Sequence, residues 1–124
     1  MEKPEKNDKI ENNIAYKPGD IILVSFASAE KEETKQRPAL VLSTESYHLG
    51  RRELIMAAVT GNTGRILTGD TALNEWKKAG LLYPTVVTAV IRTMKQDMVR
   101  RKLGSITPED FHSVIWSLKE ILSL

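Results

Sequence analysis

Gln36-Arg37-Pro38-Ala39-Leu40-Val41-Leu42-Ser43 is the stretch on which the fold turns, because a charged segment gives way there to an apolar run through an Arg-Pro pair. Pro38 fixes its own φ and steers Arg37 away from helical backbone, so the pair leads into a strand. That predicts a strand over Pro38 to Ser43, with Arg37 at its mouth. A permanently charged guanidinium on stiff backbone suits phosphate binding. Taken alone, however, the ordinary reading prevails, an ion pair with Glu32 or Glu33.

Working outward, Lys17-Pro18-Gly19 is a turn signal, and Asp20 to Phe26 is short, apolar and β-branched, predicting the first strand. Ala27 to Gln36 is rich in Glu and Lys and is expected to be an exposed, mobile loop. Beyond Ser43, Thr44 to Arg52 reads as a long connection carrying Tyr47, His48, Arg51 and Arg52. Two readings stand for it: a surface that stacks and neutralises single-stranded nucleic acid, or a solvated hairpin end. Glu53 to Val59 predicts a third, buried strand. Thr60 then falls at a strand end before Gly61 and Gly64, where its hydroxyl could meet a phosphate oxygen or merely satisfy the turn's own backbone.

Thr71 to Ala79 is expected to be a short helix, with Asp70 or Thr71 as N-cap, Gly80 as the stop, and Leu73 and Trp76 turned toward the core. Thr85 to Thr93 predicts the longest strand. Arg92 leaves its far end, followed by Lys95, Arg100, Arg101 and Lys102. Thr107-Pro108-Glu109-Asp110 starts a helix whose apolar face is Phe111, Val114, Ile115, Leu118, Ile121 and Leu122. Trp116 falls off that stripe, and His112 reads as a surface or boundary residue.

At 124 residues, 41% hydrophobic and 27% charged, the chain suits one domain. The expected division is a flexible charged tail over 1–16 and one domain over 17–124. The absence of Cys excludes disulfides and thiolate metal sites and is compatible with a reducing cytoplasm. Residues 1–13 have no apolar centre, and no apolar run spans a bilayer, so a soluble, cytoplasmic protein without a membrane association is expected. A net charge of +2 permits an anionic partner without requiring one.

Five segments in order, Gly19 to Phe26, Gln36 to Ser43, Ala58-Val59-Thr60, Ile91-Arg92-Thr93 and Gly104-Ser105-Ile106-Thr107, resemble the MazF/PemK toxin family over about Lys17 to Leu124. Leu73 to Leu81 resembles a branch with a short helix before its long strand. The resemblance implies a mainly β fold with α elements (α+β): a small SH3-like antiparallel barrel with an inserted helix and a C-terminal helix, usually a homodimer. It also implies a metal-independent, cofactor-free endoribonuclease that cuts single-stranded RNA and is restrained by a cognate antitoxin. The family's catalytic arginine carries over onto Arg37 and its threonine onto Thr60, with Gln36, Tyr47, His48, Arg51, Arg52, Arg92 and Thr93 as candidate RNA contacts. Val90 stands where many members carry a polar residue, and Lys95 where they carry an acid, which leaves the cleavage specificity open. Glu45, His48 and Glu53 are candidate proton acceptors that the sequence does not place beside Arg37. Two alternatives remain: a gyrase-directed poison like the CcdB toxins, acting through the terminal helix, and a barrel that binds nucleic acid without cutting it. Ile121-Leu122-Ser123-Leu124 reads as a packing end, which argues against the first.

Overall fold

A computed structural model describes residues 15–28 and 33–124, without the side chains of 26–28 and 33. The charged tail expected over 1–16 lies almost wholly outside the described residues. The Pro18-Gly19 turn forms as its sequence requires: Asp20 N–H donates to the Lys17 carbonyl (3.0 Å), and Gly19 takes a φ of 100° that only glycine adopts without strain. It feeds β1 (Asp20–Ser28), which forms a hairpin ribbon with β2 (Glu33–Val41). The remaining elements are α1 (Glu45–Gly50), β3 (Glu53–Thr60), β4 (Thr71–Ala72), a 3₁₀ turn (Trp76–Ala79), β5 (Val86–Lys95), a 3₁₀ turn (Gln96–Met98), β6 (Val99–Ser105) and α2 (Pro108–Leu122).

Among the described residues the strands make one antiparallel six-stranded sheet in the order β4-β5-β3-β2-β1-β6. Its ladder does not close. The seam between the β4 and β6 ends is filled instead by the 3₁₀ turn that follows β4: a Cβ on Gly80 would overlap the Leu103 carbonyl, and one on Gly104 the Ala79 carbonyl. The mainly β architecture with a C-terminal helix is as expected, and a backbone contact stands where a last hydrogen-bonded rung would be.

Both faces of the sheet carry a core. On one, Ile21, Leu40, Ala57 and Val87 meet Leu73, Ala79, Ile106, Val114 and Leu118, so α2 and the 3₁₀ turn cover that face. On the other, Ile22, Val24, Ala39, Val41, Leu54 and Met56 are joined by Tyr16, Met94, Met98 and Val99. α2 starts as its residues dictate, with Thr107 Oγ1 accepting from Asp110 N–H (3.1 Å) and Pro108 in its first turn. The buried Asp110 carboxylate accepts from the backbone N–H groups of Asn74 (3.1 Å) and Glu75 (2.9 Å), tying the seam to the helix.

Several expectations are corrected. β2 begins at Glu33, inside the predicted loop, because its charged half pairs with β1 as far as Ser28–Glu33. Thr44 to Arg52 is not a plain loop: Thr44 Oγ1 caps a helical turn by accepting from Tyr47 N–H (3.4 Å), and the Gln96 side-chain amide donates to the carbonyls of His48 (3.0 Å) and Arg51 (3.2 Å) at its far end. The helix over Thr71 to Ala79 shrinks to a 3₁₀ turn. Thr71 and Ala72 pair with β5, and Asp70, rather than capping a helix, accepts from Leu67 and Ala89 N–H groups (2.9 and 3.0 Å). Gly80 does end the turn, at φ 83°. The end of α2 is not a packing end: Leu122 is 50% and Leu124 83% exposed.

Gly104→Ala is expected to cost about 1–3 kcal/mol by forcing the seam apart, and Gly50→Ala, with open space around it, to stay within about 0.5 kcal/mol; urea melts of both variants check this. A second expectation concerns Tyr16, whose phenol is pushed above its ordinary value of 10.0, first by burial and then by Asp20. The unfolded chain therefore loses that proton first, so this group's stabilisation is complete below pH 10 and is lost as pH rises through the folded value. The alkaline fall in melting temperature should be shallower in Tyr16→Phe.

Candidate nucleic-acid interface

Pro38 has no N–H, and the β2–β3 ladder runs through Val41–Met56, Leu40–Ala57 and Ala39–Ala58, stopping beside it. β1 goes on pairing with β2 past that point, Leu23 with Pro38 and Val24 with Arg37. Arg37 is therefore held in mid-hairpin by β1 and released from β3. The β2–β3 register, continued two residues past its last rung, brings Arg37 level with Thr60. Strand alternation sets both side chains on one face, that of Val24, Ala39, Val41, Leu54 and Met56.

Arg37 is exposed and Thr60 half-buried. Thr60 Oγ1 accepts from Asn62 N–H (3.1 Å), and Asn62 Oδ1 accepts from Gly64 N–H (3.2 Å). That bond satisfies the turn and fixes the oxygen while the hydroxyl proton stays available to donate outward. The two readings of Thr60 are thus compatible.

β5 lies on the other side of β3 and is bulged opposite Ala58, between its Val59–Val87 and Ala57–Ile91 pairings. Thr88 absorbs the irregularity, donating to the Ala58 carbonyl (2.7 Å) and accepting from Val90 N–H (3.2 Å). Val90, 50% exposed, and Arg92, opposite Met56, alternate onto the Arg37–Thr60 face. Thr93, opposite Ile55, alternates away from it.

The segment from Tyr47 to Arg52 sits elsewhere. It precedes Glu53 at the start of β3, and Thr60 ends that strand, seven residues or roughly 23 Å away. Arg51 is occupied, its guanidinium on Glu53 Oε1 (2.8 and 2.9 Å) and over the Tyr47 ring at 5.2 Å. The hydrogen bond to Glu53 is the main reason its pKa is raised. Arg52 is exposed, and with Arg92 and Lys95 it marks the basic end of the sheet, where an open groove of about 710 Å³ is lined by Glu53, Arg92, Thr93, Met94, Lys95 and Met98. Gln36 is exposed beside Arg37.

His48 is the clearest correction, being only 7% exposed. Its Nδ1 donates to the Tyr16 carbonyl (3.1 Å), which can only accept, and in the neutral ring Nε2 then accepts from Ser43 Oγ (2.6 Å). Ser43 Oγ in turn accepts from Ile55 N–H (2.8 Å). Both ring nitrogens are committed to the fold. Of the other two candidate proton acceptors, Glu53 is bound to Arg51, and Glu45 lies on α1 at the same remote end. The alternative partners of Arg37, Glu32 and the Glu33 side chain, lie outside what the structure describes.

A model of the PemK-like, MazF-like toxins of type II toxin-antitoxin systems matches residues 17–122. The chain belongs to this toxin family. Its fold agrees with solved MazF structures from Deinococcus radiodurans, one alone (TM-score 0.70, 23% identity, covering 90% of this chain and 100% of that one) and one of a MazE-MazF complex (0.75, 19%, 90% and 99%). It also agrees with a mycobacterial endoribonuclease in complex with its cognate antitoxin (0.71, 18%, 89% and 97%). Among curated proteins none matches. At these identities the solved structures speak to the fold.

The sequence treats Tyr83-Pro84 only as the lead-in to a strand, yet this aromatic stands by the Thr60 end of the sheet. Tyr83 is 61% exposed, and its ring lies against the Gly61 backbone. An aromatic next to Pro, three residues before the partner of a strand-ending Thr, is a signal only once the Thr60–Val86 pairing is known.

Loss of the His48 hydrogen bonds should make His48→Ala a folding variant, less stable by roughly 1–3 kcal/mol in urea. Arg52→Ala, at an exposed site, should stay within about 0.5 kcal/mol of the parent.

Proposed function

We propose that this toxin is a sequence-selective endoribonuclease, and that Arg37 and Thr60 bind the phosphate at the bond it cuts. The observation carrying this reading is their shared level and shared face on neighbouring strands that no longer pair. In the proposed reaction a ribose 2′-oxygen attacks its own 3′-phosphorus, the P–O5′ bond breaks, and a 2′,3′-cyclic phosphate and a 5′-hydroxyl end result. The 2′-hydroxyl gives up one proton and the departing 5′-oxygen takes one, so no water is consumed in this step. Negative charge grows on the non-bridging oxygens, where a fixed guanidinium stabilises it most. The Thr60 hydroxyl donates to one of these oxygens and holds attacking and leaving oxygens in line.

Arg37 stays protonated at ordinary pH, so its role is electrostatic and it does not collect the 2′ proton. The exposed Val90 on the same face offers apolar surface in place of a hydrogen-bonding group, which sets this chain's base preference apart from members carrying a polar residue there. The proposed partners are single-stranded RNA, a second copy of the chain and an antitoxin peptide, the last by analogy with the solved complexes.

A second reading has an observation of its own. Trp116, 64% exposed, and Leu124 line an open hollow of about 360 Å³ at the end of α2. With Lys119, Glu120 and Ser123 in the same lining, it is a mixed surface suited to a protein target, as a poison acting through its terminal helix would need.

The purified chain should cut a long single-stranded RNA into discrete fragments in EDTA, with cyclic or 3′-phosphate ends. Arg37→Ala should slow cleavage about 10²–10³-fold, and Thr60→Val should fall in the same direction. Intact RNA at high enzyme excess, with toxicity that survives Arg37→Ala and disappears on truncation after Lys119, would select the second reading.

A further inference from the structure

We propose that Tyr83 is the stacking platform for a base next to the phosphate held by Arg37 and Thr60. The inference rests on the phosphate site proposed above and adds a specificity-determining residue to it. Thr60 pairs with Val86 across β3 and β5, so the chain three residues upstream of Val86 lies just past the end of β3. There a Cβ built on Gly61 would come within 2.9 Å of Tyr83 Cε1 and 3.2 Å of Cδ1. The ring thus rests on bare backbone at the residue after Thr60, where a Cβ would push it aside. Gly61 is not among the positive-φ glycines, so the reason for a glycine there is the ring and not the backbone angle.

The backbone that carries the platform is fixed before any ligand arrives. Pro84 restricts the backbone of Tyr83. Thr85 Oγ1 donates to the Tyr83 carbonyl (2.8 Å), and the Thr85 carbonyl accepts from Leu73 N–H (3.0 Å), which ties the loop to the seam. Despite this anchoring Tyr83 is 61% exposed, so burial does not account for an aromatic there. A solvent-facing ring on an anchored backbone, against the residue that follows Thr60, suits an unstacked base of single-stranded RNA. Tyr47, the aromatic singled out from sequence, is at the other end of β3 and beneath Arg51.

The test uses the full chain and two readouts. On an RNA that the parent protein cuts, Tyr83→Ala should raise KM by about 5- to 150-fold, the loss of one stacked base, with kcat changed less than threefold. Tyr83→Phe should match the parent. Gly61→Ala, which keeps the ring but displaces it, should move KM the same way as Tyr83→Ala, and Leu82→Ala, an exposed neighbour, should leave it alone. The second readout is the affinity of a mixed-sequence single-stranded oligonucleotide of 2′-deoxyriboses, which cannot be cut. If that affinity falls in Tyr83→Ala while the parent cuts no RNA, stacking stands and the nuclease reading falls. If cleavage depends on Arg37 but KM and affinity ignore Tyr83, or Tyr83→Ala only lowers the melting temperature, the platform is overturned and the nuclease reading stands.

Discussion

The missing N–H of Pro38 is the constraint on which the rest of this structure depends. A backbone donor at that position could continue the ladder from Ala39–Ala58 toward Arg37 and Thr60, and the two strands would then fill the space between them with their own hydrogen bonds. Without it, β1 alone holds that half of β2. A guanidinium and a hydroxyl are left level with each other at a place where the sheet has stopped binding itself. The feature that ends pairing also stiffens the backbone carrying Arg37, so positioning and vacancy have one cause.

What could be read from residue order were the elements that state their own limits. Thr107-Pro108 and an apolar stripe define α2, and a run of β-branched residues defines β5. Elements sustained by a partner were not legible. β6 is Val-Arg-Arg-Lys-Leu-Gly-Ser, whose charges disguise it, and it is a strand because β1 offers it a ladder. The Glu33 to Gln36 half of β2 is extended for the same reason. Conversely, Thr71 to Ala79 has helical composition, but β5 takes its first two residues and Asp110 takes the N–H groups of Asn74 and Glu75. Tertiary partners there override local preference.

The candidate site shows the same division. Arg37 and Thr60 could be named because they recur in a family order, and the register supplies a geometric reason for pairing them. The Tyr47 to Arg52 stretch looked equally suited to RNA by composition. Its distance from Thr60 is the length of β3, a quantity that belongs to the fold and not to any local window. His48 was hidden differently: an imidazole in a polar segment gives no sign that the Tyr16 carbonyl, 32 positions upstream, will accept its Nδ1–H.

That long-range bond also fixes where the chain enters the domain. Tyr16 is held against α1, so whatever precedes Ala15 joins the molecule at the Glu53 end of β3, with the whole strand between that junction and Thr60. Upstream additions can therefore grow or be trimmed at a doorway remote from Thr60, whereas an extension beyond Leu124 leaves beside Trp116, past the left-handed Ser123 that stops α2. The two termini are unequal handles, and the upstream one is the natural place to attach a label or tether the protein to a surface.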